Sequence, residues 1–337
     1  MKTILISGGA GFIGANFIPF FLQENSETHV VVIDKLTYAG NRDHLKSVEK
    51  HPRFTFVQGD ICDRILLEKL FQTRAIDGVI HFAAESHVDN SISDPGVFIQ
   101  SNIVGTFTLL DTAKKHWMTA DNRYKKGFEH ARFHHISTDE VYGSLGETGL
   151  FTEATPYAPN SPYSASKAAS DFLVRSYFHT YQMNVITTNC SNNYGPKQHD
   201  EKLIPTIIRK ALSGAEIPIY GNGKNTRDWL FVADHCEGIA LVYKKGITGE
   251  TYNIGGNNEW SNIDIAQKIC EILDEIHPQE KSYKEQIAFV EDRPGHDFRY
   301  AIDASKLINE LAWKATNNFE SGIQKTIQWY VAKYQNK

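Results

Sequence analysis

The chain has 337 residues, a formal net charge of -5 and 41% hydrophobic residues. That length exceeds what one hydrophobic core usually fills, so two domains or subdomains are expected. The mildly acidic balance excludes a basic field for nucleic acid or a polybasic patch for a membrane surface, and phosphate has to be met locally. Cys62, Cys190, Cys236 and Cys270 lie far apart with no Cys-x-x-Cys. Neither a zinc site nor a disulfide framework is signalled, and a reducing cytoplasm is the expected location. Fourteen histidines include no His-Glu-x-x-His, so no metal is expected. The opening "MKTILISGGAGFIG" carries an apolar run too short for a signal peptide, and nothing later is long enough to span a membrane.

The first predicted strand, "KTILIS", runs into "GGAGFIG", which fits both Gly9-x-Gly11-x-x-Gly14 and Gly8-x-x-Gly11-x-x-Gly14. Glycine there permits a tight turn and lets backbone N–H groups approach a pyrophosphate at a helix N-terminus. The next strand, "HVVVID", ends in Asp34, twenty residues after Gly14. A carboxylate at that place accepts hydrogen bonds from a ribose 2'-hydroxyl and repels a 2'-phosphate, which favours NAD over NADP. "FTFVQG" is followed by Asp60, placed to hold an adenine. "GVIHFA" leads into "HFAAESH", where Ala83 and Ala84 either leave room for the cofactor or serve tight helix–sheet packing.

"RFHHISTDEVYG" predicts a buried strand over 133–136 that runs into Asp139 and Glu140. Taken alone, adjacent acids at a strand mouth are most often solvated loop residues. "PYSASK" then supplies Tyr163-x-x-x-Lys167 at the start of a helical pattern, so both side chains share one face. An ammonium there favours the phenolate of a tyrosine whose ordinary pKa is about 10. Tyr220 and Lys224 share the spacing, but "YGNGK" is turn chemistry. "STDE" ends a strand and Tyr163 follows it in the chain, and in a doubly wound sheet the C-terminal strand ends face the ligand crevice. "NVITTN" closes the alternation.

Strands alternating with helices predict an α/β chain: a Rossmann-like doubly wound parallel sheet over residues 1–185, carrying the NAD site and the catalytic residues. Beyond it, "SNNYGPKQHDEK", "YGNGKNTRDW", "NIGGNNEW" and "EDRPGHDFR" mix with helices near 234–243, 263–276 and 322–334. This predicts a smaller mixed α/β C-terminal substrate domain over 186–337, interleaved with the sheet.

At these residues the chain resembles the extended short-chain dehydrogenase/reductase superfamily and, within it, the nucleotide-sugar 4,6-dehydratases, the dTDP-glucose branch in particular. The resemblance spans nearly the whole length, in "GGAGFIG", "DKLTYAGN", "HFAAESHVD", "NIVGT", "FHHISTDEVYG", "PYSASKAASD", "NCSNNYGP", "EKLIP", "PIYG", "RDWLFV", "NIGG" and "DRPGH". "STDEVYG" is the most specific, since the related epimerases typically carry small or hydroxyl residues in place of the acidic pair. Two departures stand out: the segment 144–150 is shorter than in many members, and Asn90 replaces a commonly basic residue.

The resemblance implies conversion of dTDP-glucose to its 4-keto-6-deoxy form with loss of water. Tyr163 is implied as the base at the 4-hydroxyl with Thr138 bonded to the same oxygen, Glu140 as the C5 base and Asp139 as the acid for the leaving 6-hydroxyl. Lys167 is implied to tune Tyr163 and hold the nicotinamide ribose. For NAD it implies Gly8, Gly11, Phe12, Ile13 and Gly14 of the loop, Asp34, Lys35, Leu36 and Thr37 after the second strand, and Asp60 with Ile61. It adds Phe82, Ala83, Ala84 and Ser86, then Ser101, Tyr163, Lys167 and Asn193. For the nucleotide-sugar it implies Ser86, Thr138, Asn192, Lys202 and Leu203, the "PIY" residues Pro218, Ile219 and Tyr220, and Arg227 and Asn262. Asp292, Arg293 and His296 complete that set, and the two arginines with the histidine supply the local positive charge that the net balance lacks. A homodimer built on the helices starting near Pro95 and Pro162 is also implied. The alternatives are a nucleotide-sugar 4-epimerase or a 4,6-dehydratase of a UDP-, CDP- or GDP-sugar. A non-catalytic NAD-sensing protein has no need of Tyr163, Lys167 and the acidic pair together.

Overall fold

The computed structural model describes residues 2–292 and 296–335. Strand and helix alternate through the first half: β1 (Lys2–Ser7), α1 (Phe12–Glu24), β2 (Thr28–Asp34), β3 (Phe54–Gln58), α2 (Arg64–Arg74) and β4 (Gly78–His81). There follow α3 (Val88–Ser93), α4 (Pro95–Phe98), a wide π turn over Ile99–Val104, α5 (Gly105–Trp117), β5 (Arg132–Thr138), α6 (Pro162–Tyr181) and β6 (Val185–Cys190). The second half supplies β7 (Asn192–Tyr194), α7 (Leu203–Leu212), β8 (Ile217–Tyr220), β9 (Thr226–Phe231), α8 (Val232–Lys245) and β10 (Thr251–Ile254). It ends with β11 (Glu259–Ser261), α9 (Asn262–Ile276), β12 (Ile287–Val290), β13 (Arg299–Tyr300), α10 (Ser305–Leu311) and α11 (Phe319–Gln335).

Seven strands form the main sheet in the order β10-β6-β5-β4-β1-β2-β3, and every neighbouring pair is parallel. The strand order reverses direction between β1 and β4, which opens a crevice at their C-terminal ends. Central strands such as "VVVID" read as continuous apolar runs because both faces are covered. Val30 and Val32 pack toward α1 and α8, whereas Val31 and Ile33 pack toward α2 and α5. A separate core joins Ile204, Ile207 and Ile208 of α7 to Trp229 of β9, Ile265 and Ile269 of α9, and Ile323 and Ile327 of α11.

Two features differ in extent from the sequence expectation. β5 runs two residues past Ile136, because its register with β6 continues through Ser137↔Asn189 and Thr138↔Cys190. The sheet also takes β10 from the C-terminal part, with Thr251 opposite Thr187 and Ile254 opposite Cys190 of β6. Among the described residues no helix is long and apolar enough to cross a membrane.

Candidate active site

The crevice at the β1/β4 reversal is a cavity of about 310 Å³. Its floor is the turn after β1. Gly8 has φ +72°, and a Cβ on it would lie 2.5 Å from the Ala83 nitrogen; a Cβ on Gly14 would lie 2.6 Å from the Gly8 oxygen. The geometry therefore selects Gly8, Gly11 and Gly14 as the cleft-lining set, while Gly9 packs against Val32 and Ile18. Phe12 and Ile13 line the same cleft at the start of α1, which has no side-chain cap and no acid in its first turn. Its positive dipole end is thus left for an anion.

Asp34 is buried at the end of β2, where its two carboxylate oxygens accept from Ala10 N and Leu36 N at 2.8 Å each. Burial nonetheless pushes its pKa up. Leu36 itself, at φ 58°, stays out of the cleft lining and acts through that backbone N–H. Lys35 pairs with Asp60 at 2.8 Å beside Ile61; burial works against the Asp60 carboxylate, but Lys35 and the Cys62 N–H hold its pKa low. Thr37, Phe82, Ala83, Ala84 and Ser86 form one wall, and Ser101 from the π turn and Asn193 from β7 reach the same space.

At the end of β5 the chain turns through a 3-10 segment, Asp139–Tyr142, which places Thr138, Asp139 and Glu140 on the cleft. Thr138 Oγ1 accepts from Glu140 N at 3.3 Å and donates to Asp139 Oδ1 at 3.4 Å. Asp139 is 1% exposed, and its Oδ2 has no protein hydrogen-bond partner. Burial first, then the negative charges of Glu140 and Asp228, raise its pKa well above the carboxylate range. Burial and like charge thus both favour the neutral form of Asp139 beside a second carboxyl.

α6 begins with Pro162 at its first position and a reciprocal cap between Ser161 and Ser164, so Tyr163 enters the cleft at a fixed point of the first turn. Tyr163 shares a hydrogen bond with Thr138, and burial, then Glu140, raises its phenol well above 10. Lys167, one turn on, lines the cleft and is buried, and its Nζ donates to Ile136 O at 2.8 Å. The ammonium is thus anchored on the strand, and burial sets the direction in which the phenol shifts.

The sugar-side expectations fall into two sets. Ser86, Thr138, Asn192 and Lys202 line the cleft, with Lys202 Nζ donating to Ser86 O at 2.9 Å. Leu203, Pro218, Ile219, Tyr220, Arg227, Asn262, Asp292 and His296 lie outside that lining. They belong to the C-terminal part, where Tyr220 pairs in register with Val290, a Cβ on Gly221 would lie 2.9 Å from Asp292 Oδ2, and His296 meets Asp292 at 2.6 Å. Ile219 turns its side chain into the core and offers a ligand only its backbone. The Arg227 guanidinium donates to backbone carbonyls of Thr226, Asp297 and Phe298 and sits 4.3 Å over the Tyr300 ring, and its charge reaches Asp139. Arg293 lies outside the described residues.

Sequence reasoning missed Glu85, Glu201, Ser137, Cys190 and Ser191, all of which line the cleft. Glu85 follows the two alanines of "HFAAESH", and its buried carboxyl has a raised pKa with Thr37 as hydrogen-bond partner. Only its neighbourhood to those alanines hinted at it.

The chain matches the family model described as GDP-mannose 4,6 dehydratase over residues 5–326. It is 56% identical over 333 residues to the dTDP-glucose 4,6-dehydratase of Xanthomonas campestris pv. campestris (strain B100), covering 98% of this chain and 93% of that one. Its structure is similar to the dTDP-glucose 4,6-dehydratase of Bacillus anthracis in complex with NAD, at TM-score 0.87 and 45% identity, over 99% and 98% of the two chains. The same enzyme from Streptomyces venezuelae, with NAD and TYD bound, superposes at TM-score 0.89 with 42% identity over the same shares.

Proposed function

The chain belongs to the nucleotide-sugar 4,6-dehydratase family, and from that premise we propose that it converts dTDP-glucose to dTDP-4-keto-6-deoxyglucose and water with NAD as its cofactor. The observation that carries this reading is the buried Asp139 next to Glu140 in the cleft that also holds Tyr163 and the glycine cradle, with burial and nearby negative charge raising the Asp139 pKa. The cradle fits NAD because a Cβ at Gly8 or Gly14 would collide with backbone, and Asp34 stands where a 2'-phosphate would be repelled. Gly8, Gly11 and Gly14 would hold the pyrophosphate, Asp34 the adenosine ribose, and Lys167 the nicotinamide ribose. NAD+, when bound, would supply a reversible hydride acceptor and a positive ring in the pocket.

Tyr163 takes the proton of the 4-hydroxyl, and Thr138 bonds the same oxygen. The resulting 4-ketone acidifies C5–H. Glu140 removes that proton while Asp139, already neutral, protonates the departing 6-hydroxyl, and water leaves. Glu140 returns the proton to C5 as C6 is reduced. Asn192 and Lys202 in the cleft, with Arg227, Asn262, Arg293 and His296 of the C-terminal part, meet the diphosphate and nucleoside. Residues 1–185 form the NAD-binding domain with the catalytic groups, and 186–337 mainly serve the nucleotide-sugar. The cytoplasmic location fits four free cysteines. A homodimer is supported by the exposed apolar side chains Ile92, Val97, Ile99, Phe107 and Phe172, spread over α3 to α6.

The test is a single turnover of Glu140→Gln with dTDP-glucose. The first half-reaction proceeds, so NADH absorbance rises and fails to decay, and C5 hydrogen no longer exchanges with solvent deuterium. In Asp139→Asn the C5 exchange survives. A Glu140→Gln enzyme that washes out C5 hydrogen at the parent rate overturns the assignment of the two acids. A product of unchanged mass favours an epimerase instead.

A further inference from the structure

The inner face of α6 presents a third polar residue one turn beyond Tyr163 and Lys167. Asp171 is 4% exposed, lies outside the cleft lining, and takes no part in the chemistry above. A carboxyl so placed costs desolvation unless its neighbours return it. Its Oδ2 accepts from Ser137 Oγ at 2.8 Å and from Tyr157 OH at 2.9 Å, and Asn189 Nδ2 in turn donates to Tyr157 OH at 3.1 Å. Its Oδ1 stands 3.1 Å from His135 Nε2.

The same His135 nitrogen is 3.5 Å from Lys167 Nζ. One ring nitrogen thus sits between the buried ammonium and the buried carboxylate. His135 is fully buried, and desolvation followed by the Lys167 charge holds its pKa far below 6.5, so the ring is neutral. As a neutral ring, His135 accepts from Lys167 through Nε2, while Asp171 Oδ1 stands beside it without a hydrogen bond of its own. The groups facing Asp171 are Lys167 on its own helix, His135 on β5, Tyr157 in the loop before α6, and Tyr142 after β5. Lys167 is the one cation among them. Burial lifts Asp171 to about 6, with Lys167, Ser137 and Tyr157 holding it there, so it is mostly ionised at neutral pH. Lys167, whose pKa burial lowers, is supported in return by Asp171.

We propose that Asp171 and His135 are positioning residues that keep Lys167 protonated and anchored on β5 behind Tyr163. The inference deepens the functional reading and rests on it for the catalytic consequence. Lys167 without this counter-charge loses its proton at lower pH, and with it the hold on the ribose and the field at the phenol.

The direct readout is the titration of the Lys167 Nζ resonance, by 15N NMR of lysine-labelled holoenzyme, assigned by its disappearance in Lys167→Met. In Asp171→Asn the midpoint falls by about one unit or more, and in Asp171→Glu it returns toward the parent. In parallel, the alkaline limb of kcat moves to lower pH in Asp171→Asn while KM for dTDP-glucose stays within about twofold. A midpoint and a limb that superpose on the parent's overturn the proposal, whatever happens to stability. Where Asp171→Asn does not fold, Lys167→Met reads the coupling from the other side: by reciprocity the Asp171 carboxyl titrates above the parent's value of about 6. An unchanged carboxyl midpoint overturns it equally. If the parent turns over no nucleotide-sugar yet the lysine midpoint moves, the functional reading fails and the coupling stands.

Discussion

Burial and two nearby negative charges raise the Asp139 pKa, so the folded protein binds its proton more tightly than the unfolded chain does. Folding therefore takes up a proton, and the contribution to stability is complete below the ordinary value of 3.8 and is lost as pH rises through the raised folded value. An amide needs no proton. Asp139→Asn is expected to melt at a higher temperature than the parent at neutral pH, with the difference shrinking toward about pH 4, while product formation stops. Thermal melts across that range check it, and a lower Tm at neutral pH would mean that the carboxyl is ionised and paired in the fold. Tyr163→Phe removes only the proton acceptor at the 4-hydroxyl. A loss of about 10² to 10⁴ in rate with NAD still bound is expected, and near-parent activity assigns the base elsewhere.

Two of the elements that carry the site are the turn into α1 and the start of α6. A Cβ at position 14 meets the Gly8 carbonyl oxygen at 2.6 Å, so Gly14→Ala is expected to yield protein purified without NAD, read from the absorbance of released cofactor. At α6, Ser161→Ala removes one half of the cap whose other half is Ser164. It should cost about 1 kcal/mol in denaturant unfolding and lower kcat more than KM, because Tyr163 and Lys167 take their positions from the first turns. Both elements were readable in the sequence, since glycine spacing and a Tyr-x-x-x-Lys interval are local patterns. Spacing alone left Gly8 and Gly9 both open and the resemblance named Gly8; the physical reason, Ala83 just after β4 packing against the turn, needed the structure. Asp171 repeats the helical interval of Tyr163 and Lys167, yet its meaning comes from His135 and Ser137 on β5 and Tyr157 in a loop. The predicted end of β5 at Ile136 fell short for the same reason: Ser137 and Thr138 look like loop residues until tertiary hydrogen bonds cover them.

For the whole molecule, the parallel sheet and a separate C-terminal core followed from the pattern of strands and helices, whereas the membership of β10 in the main sheet required the structure. The exposed apolar residues on α3 to α6 predict a dimer that the pair of substitutions Phe107→Glu and Phe172→Glu turns into a monomer in equilibrium sedimentation; a parent already monomeric removes the claim. The position of β10 also bears on how the protein is made. As the chain leaves the ribosome, β6 is complete at Cys190, but the strand that covers its outer edge begins only at Thr251, after β7, β8, β9 and α8 have been synthesised. Throughout that interval the nascent sheet shows a bare, buried-type edge, the kind of surface that recruits other strands. Translation pauses placed between those two points are expected to raise aggregation in the cell, and a chaperone that binds extended apolar backbone would find its target there, at a step the finished enzyme no longer displays.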